Sequence, residues 1–185
     1  SFALIVEAAA QELAQSMALS LRQRQNVHVV RSKYDFLVRN AVLSAAELEL
    51  ANRTARRKGV DVEGILLDEF QVTVELLGKA LAEFFGVGYE PFKADRMKPN
   101  DLLRNLKREY VASSHWIPVE ENQDGLLIVT TDPERIQSSR VVNNIFPRHR
   151  LVYKVCTNRE FAQIIAAFYG GGGASHSDAF GAFTT

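Results

Sequence analysis

The sequence predicts an α+β chain. A helical subdomain comes first, then a small β-β-α-β-α subdomain, then a flexible glycine-rich tail. Three observations predict it. Two helical units of similar shape recur 29 residues apart: the shift superposes Leu37 on Leu66, Val38 on Leu67, Leu43 on Val72 and Leu48 on Leu77. Two β-patterned runs, 116–120 and 126–130, flank an Asp-Gly turn at Asp124-Gly125. Four glycines, 170–173, then stop all regular structure.

Composition narrows the possibilities before any motif is read. The chain has 185 residues, 22 basic and 22 acidic, with 46% apolar and 24% charged residues. That is the make-up of a globular domain with a core of its own. Zero net charge argues against a general nucleic-acid binder. Cys156 is the sole cysteine, which excludes an internal disulfide framework and a multi-cysteine metal site. No apolar run approaches the roughly 20 residues that span a bilayer. The opening residues lack a basic segment and meet Glu7 at once, unlike a signal peptide. With no methionine at its start, the chain reads as processed or as a piece of something larger.

Each element has a local reason. Ile5, Ala9, Leu13, Met17 and Leu21 repeat every fourth residue and predict an amphipathic helix. That helix and a β-like connector at 26–30 make a first region, 1–30. The helical subdomain is read over 31–92. Ser44 and Glu47 have capping-box spacing and start a helix that ends near Lys58, before Gly59. A second helix should run from about Thr73 to Phe85 and end at Gly86. Charge is unevenly shared: residues 22–58 carry nine basic and three acidic groups, residues 61–90 seven acidic groups and Lys79. Two prolines make 89–98 look like a linker. The α/β subdomain follows over 99–169: a helix at 100–110, the hairpin, a helix from Pro133 to about Ile145 capped by Asp132, a strand at 150–155, and a helix to Tyr169 opened by the Thr157/Glu160 capping box. Its order suggests a sheet with helices on one face. Residues 170–185 read as a flexible tail, best understood as a tether to a further domain.

There is no G-x-x-x-x-G-K-[ST] run to cradle phosphates. His28, His115, His149 and His176 have no metal-ligand spacing. Cys156 reads as a small apolar thiol at a strand end, and not as a nucleophile paired with His149. The expectation is no catalytic residue, no cofactor and no metal. The basic end of the first-unit helix, Arg53, Arg56, Arg57 and Lys58, is the expected partner-binding surface.

Four motifs in order carry a resemblance: Leu76-Leu77-Gly78-Lys79-Ala80-Leu81-Ala82-Glu83-Phe84-Phe85-Gly86-Val87, Pro99-Asn100-Asp101-Leu102-Leu103, Trp116-Ile117-Pro118-Val119, and the run from Leu126 to Pro133. From about Phe36 to Tyr169 the chain resembles the N-terminal domain of the motor ATPases of bacterial type II secretion and type IV pili. The resemblance implies a non-catalytic docking or regulatory domain. It implies a P-loop ATPase domain beyond the tail of the same chain, and docking on the cytoplasmic part of an inner-membrane protein. The expected location is cytoplasmic, with membrane contact only through that partner, and no nucleic acid is expected.

One branch of the family binds cyclic di-GMP through a twice-repeated Arg-Leu-Gly pattern. This chain keeps the aliphatic frame of that pattern. Its Arg positions hold Ser32 and Asp61, its first Gly positions Tyr34 and Glu63, its second Ala41 and Phe70, and its Gln positions Ala55 and Phe84. Arg serves phosphate contacts and Gly close backbone approach, and carboxylates would repel a phosphate. A cyclic di-GMP sensor is therefore the alternative expectation, behind docking.

Overall fold

A computed structural model describes residues 2–25 and 32–170. The chain divides into two units between Ser32 and Lys33. In the first, the helix α1 (Phe2–Gln25) forms where the four-residue spacing predicts it. The β-like connector read at 26–30 and the tail beyond Gly170 lie outside the described residues.

The second unit opens with the repeat. Helices α2 (Asp35–Arg39) and α3 (Ala45–Lys58) make its first copy, α4 (Val62–Asp68) and α5 (Val74–Phe85) its second. The 29-residue shift carries Ser44 onto Thr73, and both are N-caps. Ser44 Oγ accepts the Glu47 N–H at 3.0 Å, and Thr73 Oγ1 accepts the Leu76 N–H at 3.3 Å. Glu47 reaches back to the Ser44 N–H at 3.0 Å, so the predicted capping box is complete. The same shift carries the Leu43 N–H···O Leu37 bond onto Val72 N–H···O Leu66. Leu37 and Leu66, Leu48 and Leu77, and Ala51 and Ala80 are buried as pairs in one core. Gly59 and Gly86 end α3 and α5 in the left-handed region. The uneven charge joins the copies: Arg39 pairs with Glu83, and Lys58 with Glu69.

The sheet follows. Strand β1 (Gly88–Tyr89), helices α6 (Asn100–Leu103) and α7 (Arg108–Ser114), strands β2 (Trp116–Asn122) and β3 (Gly125–Thr130), helices α8 (Pro133–Ser139) and α9 (Val141–Ile145), strand β4 (Leu151–Val155) and helix α10 (Asn158–Tyr169) come in that order. Lateral strand order is β1-β4-β3-β2. Strands β2 and β3 form the predicted antiparallel hairpin, with Asn122 opposite Gly125, and β4 runs parallel to both β3 and β1. The architecture is α+β, with a mixed four-stranded sheet.

Four details differ from the sequence reading. Strand β1 was not foreseen: the stretch read as a linker begins by pairing with β4, and the Glu90 N–H continues the ladder to the Val155 carbonyl at 3.0 Å. The helix expected at 100–110 is two short helices. Leu103 and Leu106 both enter the core, and the Leu106 carbonyl left free between the helices accepts the Tyr169 hydroxyl at 2.6 Å. The helix expected at 133–145 breaks at Arg140, which is left-handed with φ 56°; Ile136 and Val142 are buried on the two sides of the break. Helices on one face were expected, yet Leu126 to Thr130 are all buried, so both faces of β3 are covered.

The two halves of this unit share a boundary built on α5. Val155 of β4 lies in the core of the helical half. Gly78, in the middle of α5, leaves the space that the Tyr89 ring fills: a β-carbon there would collide with the ring. The Tyr89 hydroxyl then donates to Glu160 Oε2 at 2.7 Å.

Candidate functional site

Arg53, Arg56, Arg57 and Lys58 all lie in the last two turns of α3, where their charge suits the carbonyl end of the helix. All four are exposed. Arg53 and Arg56 share Glu49, at 3.9 and 3.6 Å. Lys58 leaves the group to pair with Glu69 beyond α4. Arg57 has no ion pair among the described residues. The structure thus presents three guanidinium groups and one anchored lysine at one end of the helical half.

Beside Lys58 an open groove of about 800 Å³ runs between α4 and α10. Val60 and half-buried Leu67 give it aliphatic surface, with Ile65 buried in the core behind them, and Ala162 and Ala166 of α10 also line it. At its rim one guanidinium nitrogen of Arg159, Nη2, donates to both Asp68 oxygens, at 3.0 and 3.3 Å. Sequence reading missed this groove, because it forms only where α4 and α10, far apart in sequence, lie side by side. The one signal was the pair Ala162 and Ala166, small residues four apart on an exposed helix face.

The positions that depart from the nucleotide-binding pattern have structural work instead. Glu63 is 5% exposed, and its two oxygens accept the Asn158 N–H at 2.9 and 3.0 Å, at the first turn of α10. Asp61 caps α4 by accepting the Glu63 N–H at 2.9 Å and accepts the Asn158 side-chain amide at 3.1 Å. Carboxylates suit this place, the positive end of a twelve-residue helix. Burial still pushes the Glu63 carboxyl up; the Asn158 bond pulls it down by less. Tyr34 is pushed up by burial and by the two carboxylates.

Next to this clasp is a small polar cavity of about 220 Å³, lined by Lys33, Tyr34, Glu63, His115, Asp132 and Arg135 among others. Cations and carboxylates are both present, so the cavity has no marked preference for an anion. Cys156 is fully buried beside it. Burial, then Glu160, Glu63 and Glu90, push its thiol well up, so it is held protonated and unreactive. His149 turns to Glu121, at 3.7 Å, and His115 stacks on Phe161. No cluster of three metal-ligating side chains occurs among the described residues.

Comparisons with known proteins agree with this arrangement. Residues 85–175 match the family model of the MshEN domain. No curated protein matches the chain. Among solved structures, MshE with cdg matches at 17% identity and a TM-score of 0.56, over 75% of this chain and 99% of that one. The N-terminal domain of XpsE matches in two crystal forms, at 19% and 18% identity with TM-scores of 0.40 and 0.48. These cover 72% and 76% of this chain, and 91% and 98% of those. At such identities the MshE match bears on fold alone. With the family match over residues 85–175 and the element order above, the chain resembles the N-terminal domains of secretion and pilus ATPases and shares the fold of MshE.

Proposed function

We propose that this chain is a docking and regulatory domain of a type II secretion or type IV pilus motor, and that it binds the cytoplasmic part of an inner-membrane assembly protein. The observation that carries the reading is the exposed basic end of α3, with Arg57 free of any ion pair among the described residues. Exposed, unpaired cations add little to the stability of a fold, whereas they steer association. The ATPase activity belongs to a further domain of the same chain, and the domain described here works without cofactor or metal. Its place is the cytoplasmic side of the inner membrane, reached through the partner. Among the described residues no helix is long and apolar enough to cross a membrane.

Reversing charge with Arg56→Glu and Arg57→Glu tests the surface. Titration with the partner's cytoplasmic domain should show a loss of about 1–2 kcal/mol, a factor of roughly 5–30, most of it in the association rate. Binding equal to the parent chain removes the assignment.

The second reading is a cyclic di-GMP sensor, favoured by the fold shared with MshE, which was solved with cdg. Against it stand Asp61 and Glu63, which hold the α10 N-terminus at positions where the pattern has Arg and Gly. Calorimetry with cyclic di-GMP should give no saturable heat. Micromolar binding would make the chain a sensor.

A further inference from the structure

We propose that the exposed face of α3 docks on an acidic surface of the partner's cytoplasmic domain, with Leu50 as the apolar anchor beside the arginines. This rests on the docking reading above and names the chemistry of the partner's side. Exposed arginines give orientation and rate, but little affinity. A lasting complex also needs an apolar contact from which water is expelled, ringed by polar groups.

Leu50 meets that need. Helix α3 buries Leu48, Ala51, Thr54 and Ala55, and leaves Ala46, Leu50, Arg53 and Arg57 exposed. Those four stand at i, i+4, i+7 and i+11, so they form one row along the helix, about 16 Å long. The row is apolar toward the start of α3 and cationic toward its end. Exposed large apolar side chains are few among the described residues of the second unit: Leu50, Val60, Met97 and Ile145. Leu50 is 49% exposed and shares its helical face with two arginines. An exposed leucine alone means little. Set in line with arginines, it makes the surface that interfaces use, apolar beside guanidinium.

Charge gives the sign of the partner's surface. Three carboxylates accompany the four cations of α3. Glu47 closes the capping box at the start of the helix, Glu49 serves Arg53 and Arg56 together, and Glu69 takes Lys58. Arg57 has no ion pair among the described residues, and Arg53 and Arg56 have one carboxylate between them. The surplus is positive, so the complementary surface is acidic. A second copy of the chain would set this surplus against itself. A uniformly anionic lipid surface would repel Glu47 and Glu49, whereas a protein surface can leave room for them.

The test titrates full-length variants with the cytoplasmic domain of the inner-membrane component of the same secretion or pilus system. Leu50→Gln keeps a long side chain that suits a helix and removes its apolar surface. It should weaken binding about tenfold or more, chiefly through faster dissociation, with a thermal midpoint within about two degrees of the parent chain. A larger fall in the midpoint assigns Leu50 to packing and overturns the anchor. Leu50→Met keeps an apolar anchor and should bind like the parent. Binding by the parent should weaken as salt rises; affinity indifferent to salt overturns the acidic partner surface. Arg56→Glu/Arg57→Glu reports on the docking reading alone, through the association rate. If it weakens binding and Leu50→Gln does not, the Leu50 anchor is wrong and the docking reading survives. If neither changes binding, both fall. If Leu50→Gln abolishes a self-association of the chain and leaves partner binding intact, the occupant is a second copy. If the parent binds vesicles of anionic phospholipid and not the partner domain, the occupant is a membrane surface and the proposal is overturned.

Discussion

Glu90 shows how one residue fixes the path of the chain between the two halves. It is 4% exposed and gathers three cations: Arg96 at 2.7 Å, Lys93 at 3.2 Å and Lys154 at 3.4 Å. Burial alone would push its carboxyl up, but the hydrogen bonds and charges of Arg96 and Lys93 outweigh that and hold it below its ordinary value of 4.5. A carboxyl depressed in the folded state adds stability above its unfolded value, and the addition disappears as pH falls through the folded value. Denaturant unfolding of Glu90→Gln should therefore show a flatter loss of stability below about pH 4.5 than the parent. At neutral pH the variant should be about 2 kcal/mol less stable, because Arg96, itself nearly buried, keeps its charge with only the more distant Glu120, at 3.8 Å, beside it. Gly78 makes a second prediction at this scale. In an exposed helix Gly→Ala adds about 1 kcal/mol of stability. Here the Tyr89 ring occupies the β-carbon's place, so Gly78→Ala should destabilise instead and break the Tyr89–Glu160 bond. A gain in thermal midpoint would contradict that packing.

At the scale of elements, the caps were the most legible feature of the sequence. Ser44 with Glu47, Thr73, Asp132 with Pro133, and Thr157 with Glu160 all start helices as their residue types require. Such signals are local, so a sequence can display them. Thr157→Ala removes a cap and one of the partners of buried Glu160; it should cost about 1–2 kcal/mol in urea unfolding. Illegible were the breaks made by residues that do not favour them. Ala41, Gln71, His115 and Arg140 all adopt positive φ, where glycine is the usual occupant. Tertiary burial on both sides imposes those turns: Ile136 and Val142 must both reach the core, so the helix between them stops at Arg140. Relief of that conformation should make Arg140→Gly no less stable than the parent, although glycine lowers helix propensity elsewhere. Strand β1 was illegible for a different reason. Two residues have no periodicity, and their pairing with β4 spans more than sixty positions of sequence.

For the whole molecule, the recurring device is the first turn of α10. Asn158 and Arg159 hold α4 of the helical half, and Glu160 holds Tyr89 and the Phe92 N–H of the connecting stretch. Asn158 and Arg159 thus tie the helical half to the sheet half, and Glu160 fastens the stretch that connects them. The charge segregation seen in the sequence has two outcomes here. Arg39 and Lys58 are used between the repeated units, while Arg57 at the end of α3 has no ion pair among the described residues. The repeat and the charge were legible as patterns. The groove was not, because it depends on how two helices far apart in sequence are set side by side.

The most direct test of the docking account is calorimetric titration of the full chain with the partner's cytoplasmic domain, parent against Arg56→Glu/Arg57→Glu. The account predicts saturable binding by the parent and a roughly 5–30-fold loss in the variant. Equal affinities for the two, or saturable binding of cyclic di-GMP with none of the partner, would contradict it.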